Sequence, residues 1–263
     1  MRTHPHLAAA ACVALALTLQ LAHTAAQGRA GGAGGASPPP PPTPREAAPI
    51  DLTGYWVSIV NEDYRWRMVT PPKGDYASVP LNDEGKKVAD TWEPSKDGQC
   101  EAYGAAALMR MPTRLHVTWE ASTVLSIETD AGRQTRRLVF DRSVRPPAGR
   151  TLQGWSLATW ERPAAAGRGR GEASGPAPGA DLKVVTTQLR PGWLRRNGVP
   201  YSEDTALTEY LDRFKAPNGD EWLVFTTQVN DPRYLNQEFV TSSHFKKEPD
   251  GSRWSPFPCR TTS

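Results

Sequence analysis

Two histidines, His116 and His244, are the side chains beyond the N-terminal segment best suited to proton transfer near neutral pH. Glu120 lies on the same strand face as His116, at a separation suited to a shared cavity rather than to a direct bond. Glu128 and Asp130 repeat that face after the next turn. Glu209 is a further carboxylate that a histidine could meet inside a closed sheet. If this face lines an interior, it forms an acid/base cluster. If it meets water, it is an ordinary solvated face, and the apolar Leu115, Val117 and Trp119 opposite favour that plainer alternative. A second group is aromatic. Trp193, Tyr201, Tyr210 and Trp222 could line a pocket for sugars, steroids or other rings. The nine tryptophans of the chain could equally fill a core. In Tyr64-Arg-Trp-Arg67, read as a strand, the arginines share one face. That face suits an anionic aromatic ligand if it is interior and a solvated rim if it is not.

Other chemistries lack their residues. There is no Gly-x-Ser-x-Gly elbow, Gly-rich phosphate loop, dinucleotide fingerprint or Asp-rich calcium loop. Two cysteines and two histidines at these spacings are a poor zinc set. No metal and no cofactor is expected. Charges nearly balance, with 31 basic against 28 acidic residues, and the arginines are scattered. A nucleic-acid partner would need a concentrated basic stripe.

The elements that must position these groups are strands. Leu115, Val117 and Trp119 alternate with polar residues, as do Leu125 and Ile127, and turn residues separate the runs. Period two with such punctuation predicts an antiparallel meander. Further strands are predicted over 51–60, 154–161, 182–189, 205–215, 221–229 and 239–247. Asn218-Gly219 marks a hairpin between the fourth and fifth of these. Tyr64–Val69 reads as extended and 190–204 as a loop. Leu81–Trp92 is the one good helix candidate, with Asn82 as N-cap and Pro94 as its stop. The expectation is an all-β domain with one short helix: an antiparallel up-and-down barrel or strongly coiled sheet of about 9–10 strands.

The N-terminus predicts export. Arg2 precedes an apolar run over 7–22, with small residues before Gln27, so 1–26 reads as a signal peptide. Residues 27–49 read as a Gly/Ala/Pro-rich linker, 50–263 as a single domain, and 163–180 as a disordered loop within it. No later apolar stretch would hold the mature chain in a membrane, so a periplasmic or extracellular location is expected. Cleavage removes Cys12 and leaves Cys100 and Cys259, an even pair that suggests a disulfide in an oxidising compartment.

Gly54-Tyr55-Trp56 resembles the G-x-W start of lipocalins, which implies a tryptophan at the closed end of a ligand-binding barrel. Residues 80–259 resemble a group of exported bacterial β-proteins found in acidobacteria and proteobacteria. The matching segments include Trp92-Glu93-Pro94, Cys100, Met109-Arg-Met-Pro112, Gly154-Trp-Ser156, Pro200-Tyr-Ser-Glu203 and Cys259. In that group the two serine motifs read Gly-His-Ser and Pro-His-Ser-Glu, whereas Trp155 and Tyr201 stand here. The resemblance implies fold and compartment and supplies no reaction. Three functional readings follow. The first is a lipocalin-like protein holding a small hydrophobic or aromatic molecule in the barrel. The second is a barrel-based lyase, isomerase or hydrolase using a His/carboxylate pair. The third is a structural or accessory protein of the envelope.

Overall fold

Nine strands close into a barrel in the computed structural model, which describes residues 39–96, 100–161 and 181–259. The expected signal peptide, the expected linker up to residue 38 and the expected 163–180 loop lie outside the described residues. The wall strands are β1 (Gly54–Ile59), β2 (Arg114–Ala121), β3 (Val124–Thr129), β5 (Thr135–Val139), β6 (Trp155–Glu161), β7 (Asp181–Thr187), β10 (Ala206–Lys215), β11 (Glu221–Asn230) and β12 (Phe239–Glu248). They follow one another around the wall in chain order, and β12 pairs with β1 to close it. The expectation of a wholly antiparallel barrel is corrected at one seam. β5 and β6 run parallel, with Leu138 opposite Ser156 and Val139 opposite Leu157. Parity explains this, because an odd number of strands cannot alternate in direction around a closed ring. The chain between β5 and β6 returns to the end where β5 began before starting β6.

Alternation sets the inner face. Along β10, Leu207, Glu209 and Leu211 are buried while Thr208 and Tyr210 between them are only partly covered. On β11 the buried set is Leu223, Phe225, Thr227 and Val229. Side chains from all around the wall fill the barrel. Trp56, Leu115, Leu182, Leu223, Phe225 and Phe245 are fully buried in one apolar cluster, and the two phenylalanines meet edge to face at 5.5 Å. Each such side chain contributes roughly 1.5–3 kcal/mol by leaving water. Trp56 of the G-x-W segment belongs to this core, and its indole N–H donates to the Leu52 carbonyl at 3.0 Å.

Both mouths are covered. At one, the Trp119, Phe140 and Trp160 rings follow one another at 5.4 Å centroid spacings. A turn over 43–48 docks beside them: Trp160 donates to the Pro44 carbonyl and the Arg45 N–H to that of Ser122. At the other mouth the paired ends Leu207, Val229 and Phe239 join a second apolar cluster. That cluster is completed by helix α2 (Asp83–Asp90), the short turn α3 (Ala105–Leu108), and the small strands β8 (Gly192–Arg195) and β9 (Val199–Tyr201). Helix α2 begins as the sequence predicts. The Asn82 side chain accepts from the Gly85 N–H at 2.8 Å. The 190–204 segment, expected to be loop, holds the β8–β9 hairpin. Its tight return uses Gly198 at φ 77°, where an added Cβ would lie 2.2 Å from Trp92. Replacing Gly198 with alanine should cost about 2 kcal/mol or more, from left-handed strain and overpacking together. A urea midpoint unchanged from wild type would refute that.

The disulfide is present. Cys100 and Cys259 are bonded across 159 residues of sequence, with Cα atoms 5.7 Å apart. The tail before Cys259 adds the short strand β13 (Phe257–Pro258) alongside β4 (Ala131–Gly132). No helix among the described residues is long and apolar enough to cross a membrane.

Candidate functional site: an arginine-lined cavity

The histidines stand on the outer wall. His116 pairs with Glu128 across β2 and β3 at 3.0 Å and stacks on Tyr55 at 4.3 Å. Glu120, four residues along the strand from His116 and so roughly 13 Å away, instead accepts from Arg137 at 2.7 Å. His244 lies between the buried Ser243 and Phe245 on the opposite register and pairs with Glu62. Only Glu209 of the four acid/base candidates points into the barrel. There it meets no histidine but the guanidinium of Arg136. The shared His116/Glu120 cavity is thus corrected, because strand alternation turns both side chains away from the core.

The aromatic candidates do not converge either. Trp193 packs against the barrel cluster, and Tyr201 is buried in the cap. Tyr210 lies on the outer face under the Lys183 ammonium, which is 5.4 Å from its ring centre, and Trp222 faces outward on β11. Of the two positions where the resembling group carries histidine, Trp155 is half-buried at the start of β6 and Tyr201 is buried. Burial raises the Tyr201 hydroxyl pKa, and that hydroxyl has no hydrogen-bond partner among the described residues.

The structure instead brings together charges from three distant segments. After β1 the chain does not stay extended as expected. Asp63 adopts left-handed backbone geometry and starts a helical turn, α1 (Tyr64–Arg67), in which the Trp66 and Arg67 N–H groups donate to the Asp63 carbonyl. Asp is tolerated in that conformation where bulkier residues are not. Helical rather than alternating geometry separates the two arginines: Arg65 stays exposed and Arg67 is buried. Arg67 donates through Nε to the Arg110 carbonyl at 2.6 Å and through Nη1 to Glu62 at 3.1 Å. Arg110 in turn donates to Asp63 at 2.7 Å.

The third segment is β8. Its pairing with β9 slips between Trp193 and Arg195, and the irregularity leaves Leu194 and Arg195 buried in succession. Strand irregularities of this kind re-aim side chains, often beside sites. Arg195 is 4% exposed, yet Nε, Nη1 and Nη2 all lack a hydrogen-bond acceptor among the described residues. Arg67 Nη2 lacks one as well. The Arg195 guanidinium carbon lies 4.7 Å from the centre of the Trp66 ring, and that of Arg65 lies 4.8 Å from the same ring. Trp66 is itself tethered by its indole N–H to Asp75. Arg196 donates to the Arg67 carbonyl at 3.1 Å.

Between these groups is a half-open cavity of about 20 Å³. Arg67, Arg110, Arg195 and Arg196 line it together with Trp66 and apolar atoms of Ala102, Ala107, Met111 and Leu194. That volume admits about one water-sized group. Burial first, then the neighbouring Arg110 charge, brings the Arg67 and Arg195 pKa values down to about 10. Burial lowers that of Arg196 too. All remain cationic at neutral pH, and an anion placed among them would satisfy donors that the protein leaves unsatisfied.

Sequence reasoning named the Tyr64–Arg67 segment but read it as a strand, counted Arg195 only among scattered basic residues, and gave Arg110 no functional role. The available signal was arginine within otherwise apolar or turn-forming stretches, as in Met109-Arg-Met and Trp193-Leu-Arg-Arg. Comparison with protein-family models and with curated proteins finds no match to this chain.

Proposed function

We propose that this domain is an exported binding protein for a small anionic ligand, whose charged head enters the arginine-lined cavity at the capped mouth of the barrel. The observation that carries this reading is Arg195: a guanidinium 4% exposed, with no acceptor for any of its three nitrogens among the described residues. An unsatisfied buried polar group costs about 1–3 kcal/mol, and more when charged. Buried charges are ordinarily paired, so this one is explained if its partner comes from outside the chain. The core side chains that fill the barrel argue for a ligand seated at its end rather than in its interior. The long-range disulfide is consistent with an oxidising compartment and so with export.

The test is thermal unfolding of the full chain with and without added sodium chloride, acetate or sulfate, for wild type and Arg195→Met. A ligand at about one hundred times its Kd adds about 2.7 kcal/mol. For a domain of this size that raises the Tm by about 5–10 °C. Wild type should show such a rise. The variant should not, yet without added anion it should be more stable than wild type by about 1–3 kcal/mol, because an unpaired buried charge has been removed. A variant that is less stable and still responds to anions would overturn the reading.

A further inference from the structure

We infer that the mouth of the barrel beside the 43–48 turn carries a second site, which takes a single uncharged sugar ring, free or at the end of a glycan. This site is separate from the arginine cavity and does not depend on it.

A half-open cavity of about 320 Å³ lies where the turn meets the wall, lined by Arg45, Ala48, Ile50, Asp51, Thr53 and Trp119. Small-molecule sites span roughly 300–1,000 Å³, so this one suits one ring rather than a chain of them. Its floor is apolar. Ala48, Ile50 and Trp119 are half-buried, and the latter two pack against the barrel cluster. Trp119 heads the aromatic row that continues through Phe140 and Trp160. An aromatic wall suits the C–H face of a sugar ring, because its π electrons attract weakly positive hydrogens.

The rim is polar and held in place. Asp51 Oδ1 accepts from the Thr53 N–H at 2.9 Å and from the Thr53 hydroxyl at 2.7 Å, and the Asp51 carbonyl accepts from Arg213 at 2.6 Å. Asp51 Oδ2 has no donor among the described residues. Partial burial works against the Asp51 charge. The Thr53 hydrogen bonds and the Lys247 and Arg213 charges outweigh it and hold the pKa below the ordinary carboxylate value. Asp51 is therefore an acceptor at neutral pH. Arg45 is anchored by its backbone N–H, which donates to Ser122 at 3.1 Å beside the Trp160–Pro44 bond. Its exposed guanidinium has no carboxylate partner among the described residues.

The lining thus carries one charge of each sign. An anion or a cation would meet its like as well as its complement. Both groups are exposed, where ion pairs contribute little, which disfavours a zwitterion too. Hydroxyl groups donate and accept, so a sugar can engage Asp51 and Arg45 together while its ring covers the apolar floor.

The experiment is an NMR titration of the ¹⁵N-labelled full chain with the methyl glycosides of glucose, galactose, mannose and N-acetylglucosamine. Sodium benzoate and phenylalanine serve as the anionic and zwitterionic ring probes. At least one glycoside should bind saturably, with a Kd on the order of 1 mM for a ligand of this size. It should shift the Trp119 indole N–H signal, identified by its loss in Trp119→Phe. Arg45→Ala should weaken binding about tenfold and Asp51→Asn about fivefold, each losing a charge-assisted hydrogen bond. Both positions are exposed, and an unchanged Tm shows that the fold is intact. Absence of saturable glycoside binding would overturn the inference, as would binding that both variants leave unchanged. Benzoate or phenylalanine shifting Trp119 with higher affinity than every glycoside would overturn it as well, and would assign the cavity to a charged ring instead.

Discussion

Replacing Glu209 with glutamine should destabilise the domain by about 3–5 kcal/mol, the cost of leaving a buried guanidinium without its charge partner. Arg136 on β5 and Glu209 on β10 reach across the barrel interior, each with its side chain only 1% exposed. They form a fork, Nη1 to Oε1 at 2.9 Å and Nη2 to Oε2 at 2.5 Å. Arg136 also donates to Thr186 at 3.3 Å, and Thr186 shares a 2.8 Å hydrogen bond with Ser156. This polar layer links β5, β6, β7 and β10. It spans the parallel β5–β6 seam, where only two residue pairs hold the wall together. The stabilisation carried by a buried ion pair is mostly conditional on its partner. The double replacement Arg136→Met with Glu209→Leu should therefore recover most of the loss. Urea unfolding of the two single variants and the double variant measures this directly. Losses that simply add would show that the pair does not act as a unit.

Reducing the Cys100–Cys259 disulfide should lower stability by about 3–5 kcal/mol. The bond closes a loop of 159 residues, and the chain-entropy treatment for a loop of that length gives about 5 kcal/mol at 25 °C. It ties Cys100, ahead of the cap, to Cys259, the residue that follows β13, and β13 pairs with β4. Cys100→Ala, Cys259→Ala and the double variant should all unfold at the same lower urea concentration, matching wild type in reductant. Reductant should not shift any of the variants. A wild-type midpoint insensitive to reductant would show that the covalent loop adds nothing to stability.

The two predictions divide differently between sequence and tertiary structure. The cysteine pair could be read from the sequence, given the expectation that Cys12 leaves with a signal peptide, and the Cys100–Cys259 bond is present. The role of Glu209 could not. Its type suggested an acid for a histidine, but its partner is an arginine 73 residues away on another strand. Alternation places Glu209 inside, and the closed wall then decides what lies opposite. The outward position of His116 was legible from Leu115 and Val117. Its pairing with Glu128 rather than Glu120 needed the β2–β3 register, in which the first two stand opposite each other.

By itself the sequence determined the meander, the α2 cap at Asn82, the hairpin at Asn218-Gly219 and the cysteine pair. These depend on interactions between near neighbours, on period-two burial, or, for the cysteines, on an even pair remaining once Cys12 is set aside with the N-terminal segment. Tertiary structure decided the parallel seam, the filled interior and the arginine cavity. The seam follows from closing an odd number of strands, which no single segment encodes. The cavity gathers Arg67, Arg110 and Arg195 from segments far apart in sequence, through a helical turn set by Asp63 and a slipped pairing in β8. Charges that look solvated along the chain become a site only when folding removes water from around them and leaves some without an acceptor.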